Sequence, residues 1–171
     1  MLTKKNLLTK WGLYALAMVL LFAAQQLFLD PIALSPLGAS PFLAPMLVAV
    51  VAALEGPTEG TLFGTAAGIL CDLSGGGVFS GVYTFSFFCI ALFVAIIAKY
   101  WVMRNVFGSI VYALIAFVVI DLIQILYLIA LRGAALSAAL PLAGREIAAS
   151  IVFVIPIFFL YNALHKRFRF E

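Results

Sequence analysis

Three stretches of this chain run for most of a membrane's thickness with almost no charge. Trp11–Leu29 and Ser80–Ala98 carry none, and Phe107–Leu131 carries a single aspartate. About 20 apolar residues are enough for a helix to cross the ~30 Å hydrocarbon core of a bilayer. Hydrocarbon offers no partner to a free peptide group, so a chain built from such runs satisfies its backbone internally, as helices. Composition agrees: 66% of the 171 residues are hydrophobic and 10% are charged, where a soluble domain has roughly 25% charged. The sequence predicts an all-α integral membrane protein, a single domain over residues 1–171, folded as a compact bundle.

Polar and Gly/Pro breaks divide the chain into six expected spans, at about 11–29, 37–54, 58–73, 80–98, 107–131 and 147–164. The first run is longer than the ~7–15 apolar residues of a signal peptide and lacks a small-residue cleavage site, so it reads as a retained anchor. "DPIALSPLGASP" (Asp30 to Pro41) follows as a proline-rich loop. The second and third runs are short and joined by "EGPT", where Gly56-Pro57 forces a tight turn and Thr58 is a candidate N-cap. They form either tilted full spans or a partly re-entrant hairpin, and both return the chain to the same side.

The basic residues then set the orientation. With the N-terminus inside, Lys4, Lys5, Lys10, Lys99, Arg104, Lys166, Arg167 and Arg169 are cytoplasmic, and only Arg132 and Arg145 are outside. This follows the positive-inside rule for six spans with both termini in the cytoplasm. Trp11, Tyr100, Trp101 and Tyr161 are expected at the membrane interfaces. The net charge of +3 therefore reads as a topology signal, and no nucleic-acid partner is expected. Cys71 and Cys89 lie in apolar runs without CxxC spacing or a neighbouring histidine, so they read as packing residues with no metal site.

In "EGTLFGTAAGILCDLSGGG" (Glu59 to Gly77), Gly60, Gly64 and Gly68 are four apart, and Asp72 takes the next step. Residues at this spacing share one helix face. Small residues there let helix backbones approach where lipid supplies little drive for association. The ladder serves either hairpin packing, against Ala49 and Ala53 of the preceding helix, or docking of a partner protein or lipid. "SGGG" ends the helix, which puts Asp72 near a membrane surface in a paired or structural role.

Asp121, in the middle of a long span, is the costly acid. Intramembrane acids cost about 2.5–3.5 kcal/mol on insertion scales and turn toward the bundle interior or a partner. Gln124 lies on the same face at i+3, and Gln25 and Gln26 of the first span are further candidate partners. Asp121 is either a structural staple or part of an internal cavity. No catalytic residue is identified: there is no Ser/His/Asp set, no phosphate loop and no metal-ligand cluster. The single histidine, His165, lies in the basic tail "HKRFRFE" and is assigned to anchoring. No cofactor is expected, and the absence of an internal repeat speaks against an inverted-repeat transporter.

From about Phe42 onward the chain resembles the MreD family of bacterial rod-shape-determining membrane proteins. The resemblance rests on "GTLFGTAAGILCDLSGGGVFSG", with Gly64, Gly68, Asp72, Gly75 and Gly81 at the family's positions. It continues through "KYWVMRNVFG", where Arg104-Asn105 fits the inner loop, and "FVVIDLIQ", where Asp121 matches the acid of the fifth span. The resemblance implies a non-enzymatic scaffold in the bacterial cytoplasmic (inner) membrane, multi-pass, serving lateral peptidoglycan synthesis and rod shape. It implies a direct contact with MreC, within a complex holding RodA, a class B penicillin-binding transpeptidase and MreB. The family is also similar to the six-helix substrate-binding subunits of energy-coupling-factor vitamin transporters. Such a transporter subunit, or a lipid-binding bundle, is the alternative. The first span lacks the Ala-x-x-x-Ala patch with which those subunits dock their energising partner.

Overall fold

"APMLVAVVAALE", which is apolar on every side, forms a helix with no solvent or lipid face. In the computed structural model, which describes residues 4–29, 40–74, 81–101, 105–132 and 136–169, this helix is Ala44–Glu55 (α2), and Ala44 to Leu54 are all buried. A helix hydrophobic all round belongs in the centre of a bundle. Around α2 stand α3 (Pro57–Ser74), α4 (Val82–Trp101), α5 (Val106–Arg132) and α7 (Val154–Arg169). At 12 residues, α2 rises only ~18 Å, well short of the hydrocarbon core. The expected span 37–54 is thus a short central helix, and residues 37–39 lie outside the described set.

α1 (Lys4–Ala24) continues through a π-helical stretch, Gln25–Leu29. It flanks the bundle and packs on α7. α6 (Leu136–Ser150) passes through a 3-10 turn, Ile151–Phe153, directly into α7. Pro156 explains that tightening. It has no N–H for the Val152 carbonyl and its ring crowds that carbonyl, so the backbone closes locally into i to i+3 bonds.

All described secondary structure is helical. Among the described residues, four helices are long and apolar enough to cross a membrane: Asn6–Leu29, Val82–Tyr100, Val106–Leu126 and Gly144–Phe168. Their exposed faces carry residues such as Leu20, Phe85, Phe93, Val118 and Leu122, as a lipid-facing surface requires. This is a membrane protein whose core is α2.

The glycine ladder explains how the bundle closes. α3 packs most extensively on α4 and then on α2. A Cβ at Gly68 would lie 2.5 Å from the Thr84 Cα, and one at Gly64 would lie 2.7 Å from the Ala91 Cβ and 2.8 Å from the Phe87 carbonyl oxygen. At Gly60 it would meet the Ala52 Cα at 2.6 Å. All three glycines are therefore filled by the chain's own helices. The patch on α2 is Val48 and Ala52, one residue earlier than Ala49 and Ala53, and the main partner is α4. The turn into α3 also differs from expectation. Pro57 occupies the first helical position, as its missing N–H favours, and Gly56 (φ +92°) makes the turn.

Candidate functional site

Asp72 lies in the last turn of α3, where the helix's own carbonyls disfavour a negative charge. The structure supplies the compensation from the next helix. The Asp72 carboxylate accepts hydrogen bonds from the Tyr83 amide at 3.2 Å, the Thr84 amide at 3.0 Å and the Thr84 hydroxyl at 2.6 Å. The first-turn amides of a helix have no intrahelical partner, so Asp72 caps α4 from outside it. Gly81, with φ +102°, makes the turn that starts α4, and Gly75 lies outside the described residues.

Further polar ties gather at this end. Gln25 accepts from the Leu43 amide at 2.9 Å, just before α2. The Ser150 hydroxyl accepts from the Phe42 amide at 2.9 Å and donates to the Glu146 carbonyl at 2.7 Å. Gln124 donates to the Tyr83 hydroxyl at 3.3 Å, so it is not the partner of Asp121. Between α1, α3 and α4 lies a cavity of about 140 Å³ lined by Phe22, Gln25, Gln26, Phe42, Cys71, Ser74 and Tyr83.

Asp121 is 7% exposed, and its Oδ2 has no hydrogen-bond partner among the described residues. Neither Gln25 nor Gln124 bonds to it. Glu146 of α6 is an acid close enough for the two carboxyls to interact electrostatically. At the start of α5, Asn105 is the N-cap, its side chain accepting from the Gly108 amide at 2.8 Å. Arg104 lies outside the described residues.

The most connected polar site involves residues that the sequence assigned elsewhere. Glu55 closes α2, and its side chain is 3% exposed. It pairs with Lys10 of α1, accepts from the Tyr14 hydroxyl at 2.5 Å and lies 2.8 Å from Nδ1 of His165 on α7. Glu59 is a further partner of Lys10 at 3.6 Å. Burial pushes the Glu55 carboxyl up. Hydrogen bonds from His165, Lys10 and Tyr14 outweigh that and hold it below the usual carboxylate range. Lys10 is thus a buried ion-pair partner rather than a free topology charge, and His165 a helix tie rather than a tail anchor. Tyr161, expected at an interface, is fully buried. It stacks edge-on against Tyr14 and Phe63 at 5.2 and 5.8 Å and donates to the Tyr14 carbonyl at 3.4 Å.

One local sign pointed to this site: an acid at the C-terminal end of an apolar helix opposes the helix dipole and calls for donors. The donors are 45, 41 and 110 residues away in sequence, beyond any spacing rule. Among the described residues, no three His, Cys, Asp or Glu side chains are grouped to hold a metal ion. Cys71 and Cys89 are both free thiols. Compared with family models, curated proteins and solved structures, the chain finds no match.

Proposed function

We propose that this protein is a non-enzymatic membrane scaffold of the MreD type. In that role it binds MreC and helps direct lateral peptidoglycan synthesis alongside RodA, a class B penicillin-binding transpeptidase and MreB. The supporting observation is the direction of its polar chemistry. Asp72, Gln25, Gln124, Ser150 and Glu55 are each bonded to another helix or helix end of the same chain. What the bundle offers outward is apolar helix surface, suited to lipid and to the transmembrane helix of a partner. The resemblance across Phe42 to the C-terminus supplies the identity of that partner.

The same reading gives six membrane-embedded segments with both termini in the cytoplasm of a bacterial inner membrane. It is supported by the Glu55 cluster, which gathers the start of α1, the α2–α3 turn and the end of α7 at one end of the bundle. Arg145→Cys and Lys166→Cys, each in a Cys71→Ala, Cys89→Ala background, test this with a membrane-impermeant maleimide. Residue 166 reacts only from the cytoplasm and residue 145 only from outside. Labelling of both from one side contradicts the topology.

The functional test is co-purification. Tagged protein from rod-shaped cells retains MreC in detergent, and depletion rounds the cells. Normal shape after depletion, in cells with no second copy, contradicts the scaffold role. A vitamin bound stoichiometrically to the purified protein favours the energy-coupling-factor subunit instead.

A further inference from the structure

Two acids lie toward the end of the bundle opposite Glu55, and neither is paired with a cation. Asp121 on α5 is 7% exposed, and its Oδ2 meets no hydrogen-bond donor among the described residues. Glu146 on α6 is half-buried. Every ion pair among the described residues goes instead to Glu55 or Glu59. Arg145, the neighbour of Glu146 in the chain, is exposed.

A circuit of contacts brings the two acids together. Asp121 and Gln124 share a face of α5. Gln124 donates to the Tyr83 hydroxyl of α4 at 3.3 Å, and the Tyr83 ring lies 6.0 Å from that of Phe42. The Phe42 amide donates to Ser150, whose hydroxyl donates to the Glu146 carbonyl one turn back on α6. Glu146 is in turn near enough to interact electrostatically with both Asp121 and Tyr83.

The surrounding elements bring no cation to this circuit. Ala44 to Leu54 of α2 carry no ionisable side chain, nor do residues 151–160 ahead of and along α7. α4 contributes Tyr83 and Cys89, α5 itself Tyr112, and α3 beyond them Cys71 and Asp72. Asp72, held by Tyr83 and Thr84, adds a further negative charge.

Two carboxylates in an apolar setting do not both stay ionised without compensation, so one positive charge has to join them. A calcium or magnesium ion takes about six or more oxygen ligands. Among the described residues no three His, Cys, Asp or Glu side chains group to supply them. A proton needs a single oxygen, and Oδ2 of Asp121 is unused. The pair also has an entry, because Tyr83 lines the polar cavity together with Gln25, Gln26 and Ser74. The Tyr83 oxygen accepts from Gln124 and keeps a second lone pair, while its own proton goes to no described residue.

We propose that Asp121 and Glu146 form a proton-binding site inside the bundle, where the two carboxyls hold one proton between them and exchange it with the polar cavity by way of Tyr83. A proton from water in the cavity is accepted by the Tyr83 oxygen as the hydroxyl's own proton passes to the Glu146 carboxylate, so Tyr83 ends as it began. The site is separate from the scaffold role and does not depend on it.

Infrared spectroscopy of the full chain in detergent tests this through the C=O stretch of a protonated carboxyl, which an ionised one lacks. At pH ~7, where a solvated carboxyl is ionised, wild type shows this band with the strength of one carboxyl above the Asp121→Asn, Glu146→Gln double variant. Each single substitution removes at least half of it, because the remaining acid no longer faces a like charge. In the unaltered chain, isotopic labelling of the aspartate carboxyls shifts one part of the band and labelling of the glutamates shifts the rest. Tyr83→Phe slows its exchange in deuterium oxide at least ~10-fold, as loss of a positioned proton-transfer group does, with elution volume unchanged. Absence of the band, a strength of two carboxyls, or a band that survives either single substitution intact overturns the shared proton. Loss of the band when sodium replaces potassium overturns it in favour of a metal-ion site. Exchange as fast in Tyr83→Phe as in wild type overturns the route through Tyr83.

Discussion

The two ends of the bundle each centre on a carboxylate at the end of a helix, and they solve the same electrostatic problem differently. Asp72 ends α3 and is satisfied by amides and a hydroxyl 11 and 12 residues further along. Glu55 ends α2 and is satisfied by side chains of α1 and α7. The first is a local device that fixes one helix hairpin. The second closes the fold, because the chain's first and last helices meet nowhere else through so dense a polar contact among the described residues. Losing Asp72 loosens a hairpin, whereas losing Glu55 loosens α1 and α7 from the core.

That contrast sets the order of expected effects. Glu55→Ala has the largest: it leaves Lys10 buried without its main counter-charge, a change that costs ~3–5 kcal/mol. Thermal unfolding in detergent reads it. A loss no greater than that of Asp72→Ala erases the distinction between the two ends. Gly68→Ala comes next, since a Cβ there collides with the Thr84 backbone and overpacking costs ~1–3 kcal/mol. Gly12→Ala, where nothing lies within 4 Å, stays within ~0.5 kcal/mol. Equal losses at the two glycines remove the close α3–α4 approach from the account. Asp72→Ala strands two α4 amides, at ~1–3 kcal/mol, and Thr84→Val recovers only part of that loss. Among the polar sites, Asp121→Leu has the smallest effect. The aspartate's free Oδ2 leaves no orphaned donor behind, so stability changes by less than ~1 kcal/mol. A larger loss means that Asp121 has a partner in the intact protein.

The same contrast explains what the sequence made legible. Asp72 and the glycine ladder are local features. Four-residue spacing fixes a helix face, and "SGGG" marks a helix end, so a close-packing face with an acid near its end was legible, but not its main partner, which is α4 rather than the preceding helix. The long apolar runs likewise fixed α1, α4 and α5 to within a few residues at most ends. α2 was harder. Its apolar residues look the same whether they face lipid or protein, and only the surrounding helices distinguish a span from a central core helix. Lys10, His165 and Tyr161 were assigned by their positions near chain ends, where a basic or aromatic residue ordinarily marks an interface. Their actual roles depend on three helices converging in space. Gln124 was a candidate partner of Asp121 on similar grounds: i+3 spacing allows the contact, but Gln124 donates instead to the Tyr83 hydroxyl on α4.

One buried carboxylate couples the first helix to the core, and a double-mutant cycle on Lys10 and Glu55 measures that coupling. Lys10→Met, Glu55→Gln and the double variant are each unfolded thermally in the same detergent. The double variant is expected to be more stable than the sum of the two single losses implies, by at least ~1.5 kcal/mol, within the range for residues in contact. Additive losses would contradict it.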